Sequence, residues 1–294
     1  MEGFLATGRV QKLLNSIEIA KVPLCLLVAF SSLFGFLYAN PVYSEKAGYI
    51  FTAVLLLSCG SATLNSYQER GTDSLLLRTK NRPLVKRKIS NNNALVQATL
   101  LIITGLTALW FFSDIKTFIS GLIAVVLYNF IYTGLKSKSL YAIIPGAISG
   151  AIPPYIGWLA AGGEAISFRA MLPVLLLIFW QIPHFFLILL NHKFDYATSI
   201  FPNLLKRLSE TSLKRVFIPW IAALSVTMLT FTVLPSGIGN LGRMIIVINA
   251  VILFGLFCVQ FLYAKQPNYS YLFKHLNMSI FIIMLVVCSG AVKI

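Results

Sequence analysis

The chain has 294 residues, of which 57% are apolar and only 11% charged, and its mean hydropathy is +0.81. Soluble domains carry roughly a quarter charged residues, so a soluble globular protein is excluded, as are disordered and fibrous chains, and an integral membrane protein remains. The net charge of +15 comes with no nucleic-acid-binding motif, and the 24 Lys and Arg lie between apolar runs, so it reads as orientation in a lipid bilayer, with no nucleic-acid partner.

The first fifteen residues form a mildly amphipathic segment with Arg9 and Lys12. The apolar run after them is too long for a signal sequence and lacks a cleavage site, so residues 1–17 read as a retained cytoplasmic segment. With about 20 apolar residues as the length that crosses a bilayer, nine spans follow at 18–38, 47–64, 94–112, 116–133, 141–160, 168–191, 216–234, 241–264 and 272–292. The expected fold is all-α: one polytopic membrane domain over 1–294, a nine-helix bundle. Cys25, Cys59, Cys258 and Cys288 all fall inside apolar stretches without a CxxC or a His partner, and read as small buried hydrophobes. Alternate connections carry 19 Lys and Arg against five on the opposite side. Basic loops stay on the cytoplasmic side, so the N-terminus is expected inside and the C-terminus outside, most simply in a bacterial plasma membrane.

Two of the inner connections, 65–93 and 191–215, are long and hold much of the polarity. In the first, Asn65, Glu69 and Asp73 follow at i, i+4 and i+8, and on a helix each step adds about 40°, so the three share one stripe. Such a row of hard oxygen donors suits Mg²⁺, which is commonly held by one or two carboxylates together with substrate phosphates. Arg78 and Arg82, also four apart, add guanidiniums able to grip phosphate oxygens. The competing reading is a solvated juxtamembrane face whose charges merely pair with one another. In the second loop Asn191 and Asp195 repeat the Asn-x-x-x-acid spacing, a faint internal repeat that makes Asp195 a candidate for a second Mg²⁺ or for orienting Lys193. His184, in Trp180-Gln-Ile-Pro183-His184-Phe185, lies at membrane depth, where an ionisable group needs a cavity, a partner or a carbonyl freed by the neighbouring proline. Pro153-Pro154 in the fifth span is expected to bend or break its helix.

These residues resemble the intramembrane prenyltransferase superfamily, whose members carry two aspartate-rich inner loops on a nine-helix bundle, and within it the protoheme IX farnesyltransferase, or haem O synthase, branch. Asn65 to Leu84 is similar to the N-x-x-x-D-x-x-x-D…R-T-x-x-R-P-L loop, and Tyr132-Thr133 to Lys136 to the third inner loop. Pro153-Pro154-x-x-Gly157-Trp158, Trp180-x-x-Pro183-His184-Phe185 and Asp195-Tyr196 with Pro202 are more particular to the haem branch. The chain departs from that pattern at Glu69, where the family has Asp, at Asn191-His192, at Ser137 and over 199–205.

The resemblance implies a Mg²⁺-dependent transfer of farnesyl from farnesyl diphosphate to a vinyl group of haem B, giving haem O. It implies that Asn65, Glu69, Asp73 and Asp195 hold Mg²⁺ and that Arg78, Arg82, Lys136 and Lys193 meet phosphate, with Tyr132 and Tyr196 beside them. Trp158 and His184 are the expected acceptor wall, His184 with a contact to the haem or its iron. The implied partners are the lipid bilayer, the two substrates and a haem A synthase or oxidase-assembly protein. Two alternatives stand beside this reading: an aromatic or quinone-precursor acceptor, and a non-catalytic relative that keeps the fold. A transporter is disfavoured because the acids gather near one face instead of at mid-bilayer.

Overall fold

The computed structural model describes residues 2–198, 202, 204–207, 209–234 and 237–291, and the fold among them is helical throughout. In lipid every backbone N–H and C=O must be bonded within the chain, which a run of apolar residues achieves as a helix. Nine helical stretches are long and apolar enough to cross a membrane among the described residues. They fall on the nine expected spans.

Helix α1 (Glu2–Ile19) precedes the first span, α2 (Val22–Ala39), from which it is separated by Lys21 in a left-handed conformation at φ 50°. Helix α3 (Glu45–Gln68) ends at Glu69 and is followed by the single turn α4 (Arg70–Asp73). Next come α5 (Asn91–Phe112) and α6 (Ile115–Val125), the latter continued by a π-helical segment, Val126–Tyr132, and the short α7 (Thr133–Lys136). A 3₁₀ turn at Leu140–Ala142 leads into α8 (Ile143–Ala160), then α9 (Phe168–Asn191) and the short α10 (Lys193–Thr198). The last three spans are α11 (Glu210–Val233), α12 (Asn240–Cys258), continued by a second π segment at Val259–Tyr263, and α13 (Tyr269–Ser289).

Polar residues mark the helix starts as capping chemistry requires. Ser90, Ser167, Ser209 and Asn268 each accept a backbone N–H from the first turn of α5, α9, α11 and α13. Asp114 and Thr117 close a reciprocal capping box on α6. All the long polar connections leave one end of the bundle, called here the basic end.

The paired prolines do not break α8. The helix runs unbroken through Pro153 and Pro154, as α9 does through Pro173 and Pro183. A membrane helix tolerates proline where its neighbours support the freed backbone groups, and here the neighbour is very close. A Cβ added at Gly35 of α2 would collide with the Pro154 carbonyl, and one added at Gly157 of α8 with the Ser32 carbonyl. The two backbones therefore touch at two glycines, which seats α8 against α2 along one wall of the interior.

This contact carries a stability prediction. Gly157→Leu is expected to force α2 and α8 apart, costing about 1–3 kcal/mol or more, and to lower the thermal unfolding midpoint of the purified protein in detergent. Gly48→Ala, at a position with open space around it, is expected to leave the midpoint unchanged or slightly raised.

Candidate active site

The stripe Asn65, Glu69, Asp73 survives the junction between α3 and α4. The Glu69 N–H donates to the Asn65 carbonyl at 2.9 Å and the Asp73 N–H to the Glu69 carbonyl at 2.8 Å, so the helical register is kept across the break. All three side chains are buried, with Asn65 at 2%, Glu69 at 8% and Asp73 at 4% exposure. A solvated face would leave them open to water, so the row points into the protein instead.

Cations converge on the row from other elements. Arg82 Nη1 lies 2.6 Å from Asp73 Oδ2 and 4.0 Å from Glu69, while Lys136 Nζ of α7 donates to Glu69 Oε1 at 2.9 Å. Lys21, at the α1–α2 junction, donates to Asn65 Oδ1 at 2.9 Å. Asn65 in turn donates through Nδ2 to Thr133 Oγ1 at 3.0 Å. Two carboxylates thus face three cations, which leaves the cluster ready to accept an anion. Burial works against ionisation of Glu69, yet the charge and hydrogen bond of Lys136, with Lys21 behind it, hold its carboxyl below the usual range, and it stays ionised at neutral pH. Burial, with the neighbouring Arg82 charge, pushes the Lys21 ammonium down to about 8.

The loop that supplies Arg82 is built onto the bundle. Thr79 Oγ1 donates to the Asp73 carbonyl at 2.9 Å, and Leu84 and Ile89 bury against Ile19, Ala94 and Tyr67. Arg87 takes a left-handed conformation at φ 54°, where the chain turns back toward α5. The second loop meets the first: Asp195 Oδ1 of α10 accepts from the Leu77 N–H at 3.3 Å, next to Arg78. Arg78 and Lys193 are exposed. The side chain of Tyr196 and most of the divergent stretch 199–205 lie outside the described residues.

Behind the polar cluster lies an apolar cavity of about 370 Å³ between α2, α3, the α6–π segment, α8 and α9. Tyr132 lines both this cavity and a small cleft at Lys136, so it stands at the junction of the apolar and charged zones. The π segment is the local cause. One extra residue in the turn brings the Tyr128 and Tyr132 rings to 5.6 Å in a stacked pair, and Thr133 Oγ1 donates to the Tyr128 carbonyl at 2.8 Å. Asn129 is pinned inside the bundle by donating to the Ser61 carbonyl at 2.9 Å.

His184 lines the cavity, flanked by Trp180 at 4.6 Å and Phe273 at 4.8 Å between ring centroids. Its Nδ1 meets Asn277 Oδ1 of α13 at 2.9 Å, so its partner is a side chain and not a carbonyl freed by Pro183. Trp158 stands apart from the cavity, at the far end of α8. Its indole N–H donates to the Glu164 carbonyl at 2.9 Å, and its ring packs on Tyr38 and Arg169. Trp180 occupies the cavity wall instead. Lys21, Thr133, Tyr128 and Asn277 were not among the expected site residues. For Lys21 a signal existed, since a lone cation abuts the first apolar run.

The sequence pattern of the UbiA prenyltransferase family matches residues 28–285. The chain is 38% identical over 178 residues to a protoheme IX farnesyltransferase from Flavobacterium psychrophilum, which covers 58% of this chain and 58% of that one. It is 30% identical over 216 residues to a protein of the same name from Nitratidesulfovibrio vulgaris, covering 73% of this chain and 75% of that one. The chain therefore spans less than two thirds of the first relative and three quarters of the second. Among solved structures, one concerning a digeranylgeranylglyceryl phosphate synthase superposes with a TM-score of 0.76 at 16% identity, over 95% of this chain and 98% of that one. A UbiA homolog from Archaeoglobus fulgidus bound to GPP and Mg²⁺ superposes with a TM-score of 0.71 at 16% identity, over 94% and 98%. With the sequence match running through nearly all of the bundle, the chain belongs to the UbiA prenyltransferase family.

Proposed function

We propose that this chain transfers a farnesyl group from farnesyl diphosphate to a vinyl group of haem B, forming haem O at the cytoplasmic face of a bacterial plasma membrane. The observation that carries the reading is the meeting, at Tyr132, of a buried carboxylate and cation cluster with an apolar cavity. That junction fits a substrate with a charged head and a hydrocarbon tail. The haem acceptor and the farnesyl donor rest on the relatives named protoheme IX farnesyltransferase. The cytoplasmic placement of the basic end rests on its Lys and Arg excess.

The donor set fits Mg²⁺ of a particular kind. Among the described residues no three His, Cys, Asp or Glu side chains stand together closely enough to hold a metal. Two carboxylates and one amide oxygen suit an ion that completes its shell with water and diphosphate oxygens. Asn65, Glu69 and Asp73 would hold it, and Asp195 stands on the facing loop, where it braces the backbone beside Arg78. When bound, Mg²⁺ supplies positive charge that makes the diphosphate a better leaving group.

The chain's own residues do the rest. Lys21, Arg82 and Lys136, now held by Asn65, Asp73 and Glu69, are released toward phosphate oxygens as the head group enters, with Arg78 and Lys193 guiding it from solvent. The stacked Tyr128–Tyr132 pair and Trp180 line the cavity, where aromatic rings favour the positive charge that grows on the allylic carbon. The apolar wall keeps out the water that would quench that charge before the acceptor vinyl group attacks. As the bond from the allylic carbon to the vinyl carbon forms, the bond to diphosphate breaks and diphosphate leaves. One water then adds to the cation left on the former vinyl group and loses a proton, giving the hydroxyethyl side chain of haem O.

The test is an incubation of purified protein in lipid with farnesyl diphosphate, Mg²⁺ and haem B, followed by mass spectrometry of the extracted haems. Haem O is expected, lost on chelation of the metal and reduced at least about 100-fold in Asp73→Asn, in line with removal of a group that stabilises charge at the reacting centre. Diphosphate release with unmodified haem would assign a different acceptor. The buried charges give a second prediction. Arg82→Leu strands Asp73 in a buried site and is expected to destabilise the protein by about 3 kcal/mol, the lower end for a broken buried pair because Arg82 keeps 27% exposure. Arg82→Leu combined with Asp73→Asn is expected to recover most of that loss in thermal unfolding, since the charge left unpaired is gone.

A further inference from the structure

His184 and Asn277 are polar residues that two separate spans, α9 and α13, bring together 93 positions apart in the chain. Polar groups inside a membrane bundle are costly unless they satisfy one another, and here they do. The contact runs from His184 Nδ1 to Asn277 Oδ1 at 2.9 Å. An amide oxygen only accepts, so Nδ1 carries the imidazole proton and Nε2 keeps its lone pair. Trp180 and Phe273 pack against the ring. Nε2 has no hydrogen-bond partner among the described residues, while His184 lines the cavity. The polar atom the ring has left for a ligand in the cavity is therefore an unprotonated nitrogen.

We infer that Asn277 is a positioning residue which fixes the His184 tautomer so that Nε2 ligates the iron of the haem acceptor from the cavity wall. The inference rests on the proposed haem acceptor. A metal-bound histidine usually donates its second ring N–H to a carbonyl or carboxylate, which sets both the ring's orientation and its basicity. Asn277 supplies that carbonyl from a helix that contributes none of the diphosphate cluster. Ligation at this point would anchor the flat acceptor by its centre, in a cavity that α2 and α3 also line, through Cys25 and Ser61 among others. The vinyl edge is then held in one orientation while the farnesyl carbon arrives from the diphosphate end.

The experiment uses the full chain in lipid nanodiscs, titrated with haem B and reduced, and reads the iron–histidine stretching band by resonance Raman alongside haem affinity and haem O formation. The unmutated protein is expected to show the band, and His184→Ala to lose it. Asn277→Leu is expected to weaken haem binding roughly 10–100-fold, the usual cost of losing such an outer partner, and to move the band to lower frequency. Asn277→Asp, a stronger acceptor, is expected to move it to higher frequency with haem binding retained. A role of Asn277 in packing alone would lower thermal stability and leave the band where it was, and that result overturns the inference. Haem O formation with no iron–histidine band in any variant overturns the inference and leaves the haem reading standing. Absence of both haem binding and haem farnesylation, in protein whose thermal transition shows it folded, overturns the two together.

Discussion

Two carboxylates kept out of water at the mouth of an apolar chamber set the terms for the rest of this structure. Glu69 and Asp73 are nearly fully buried, and charge in such a place must be matched or it is neutralised or expelled. The match comes from three cations on three different stretches of chain: Lys21 between α1 and α2, Arg82 on the loop after α4, and Lys136 on α7. Each pairing ties a separate element to the end of α3, so the electrostatic requirement also organises the basic end of the bundle. The first loop is consequently a built structure, anchored by Leu84 and Ile89 and braced by Asp195 from the second.

The helix contacts serve the same arrangement from the apolar side. Helices α2 and α8, packed together at Gly35 and Gly157, both contribute residues to the wall of the chamber, and the π segment of the fourth span adds Tyr128 and Tyr132 to it. Charge and hydrocarbon therefore meet at Tyr132, Ile143 and Phe185, which line both the cavity and the cleft at Lys136, and the Tyr132 ring lies 5.7 Å from the Lys136 ammonium. A substrate with a charged head and a long apolar tail is the kind of molecule such a boundary can hold in one orientation.

Much of this was legible in the chain. The nine spans could be read because a helix must supply some 20 apolar residues to cross a bilayer, and no other backbone arrangement meets that demand except a closed barrel. The Asn65, Glu69, Asp73 row could be read because four-residue spacing keeps a common face, and the hydrogen bonds through Glu69 carry that face past the end of α3. What periodicity could not reveal was which distant residue meets which. Lys21 and Asn277 act through tertiary contacts to Asn65 and His184, and nothing in their local pattern announces the partner. Trp158 was misplaced for a reason that helix rise exposes. It lies fifteen residues into α8, about 22 Å from the basic end at 1.5 Å per residue, whereas His184 is seven residues, about 10 Å, from the end of α9. The two could not share one wall near the mouth. Of the bend or break expected at Pro153-Pro154, the break does not occur: α8 runs continuously through both prolines while its backbone packs closely on α2.

On the proposed reading, the buried row on α3 and α4 holds a diphosphate through a divalent ion that the protein captures tightly only together with the substrate head. Electron paramagnetic resonance of Mn²⁺ in place of Mg²⁺, with phosphorus hyperfine coupling read on a non-hydrolysable farnesyl diphosphate analogue, tests it directly. The expected result is weak Mn²⁺ binding to the protein alone, tight binding with the analogue present, a resolved phosphorus coupling, and loss of the bound signal in Asp73→Asn. Tight Mn²⁺ binding without the analogue, or a phosphorus-coupled signal unchanged by Asp73→Asn, would contradict it.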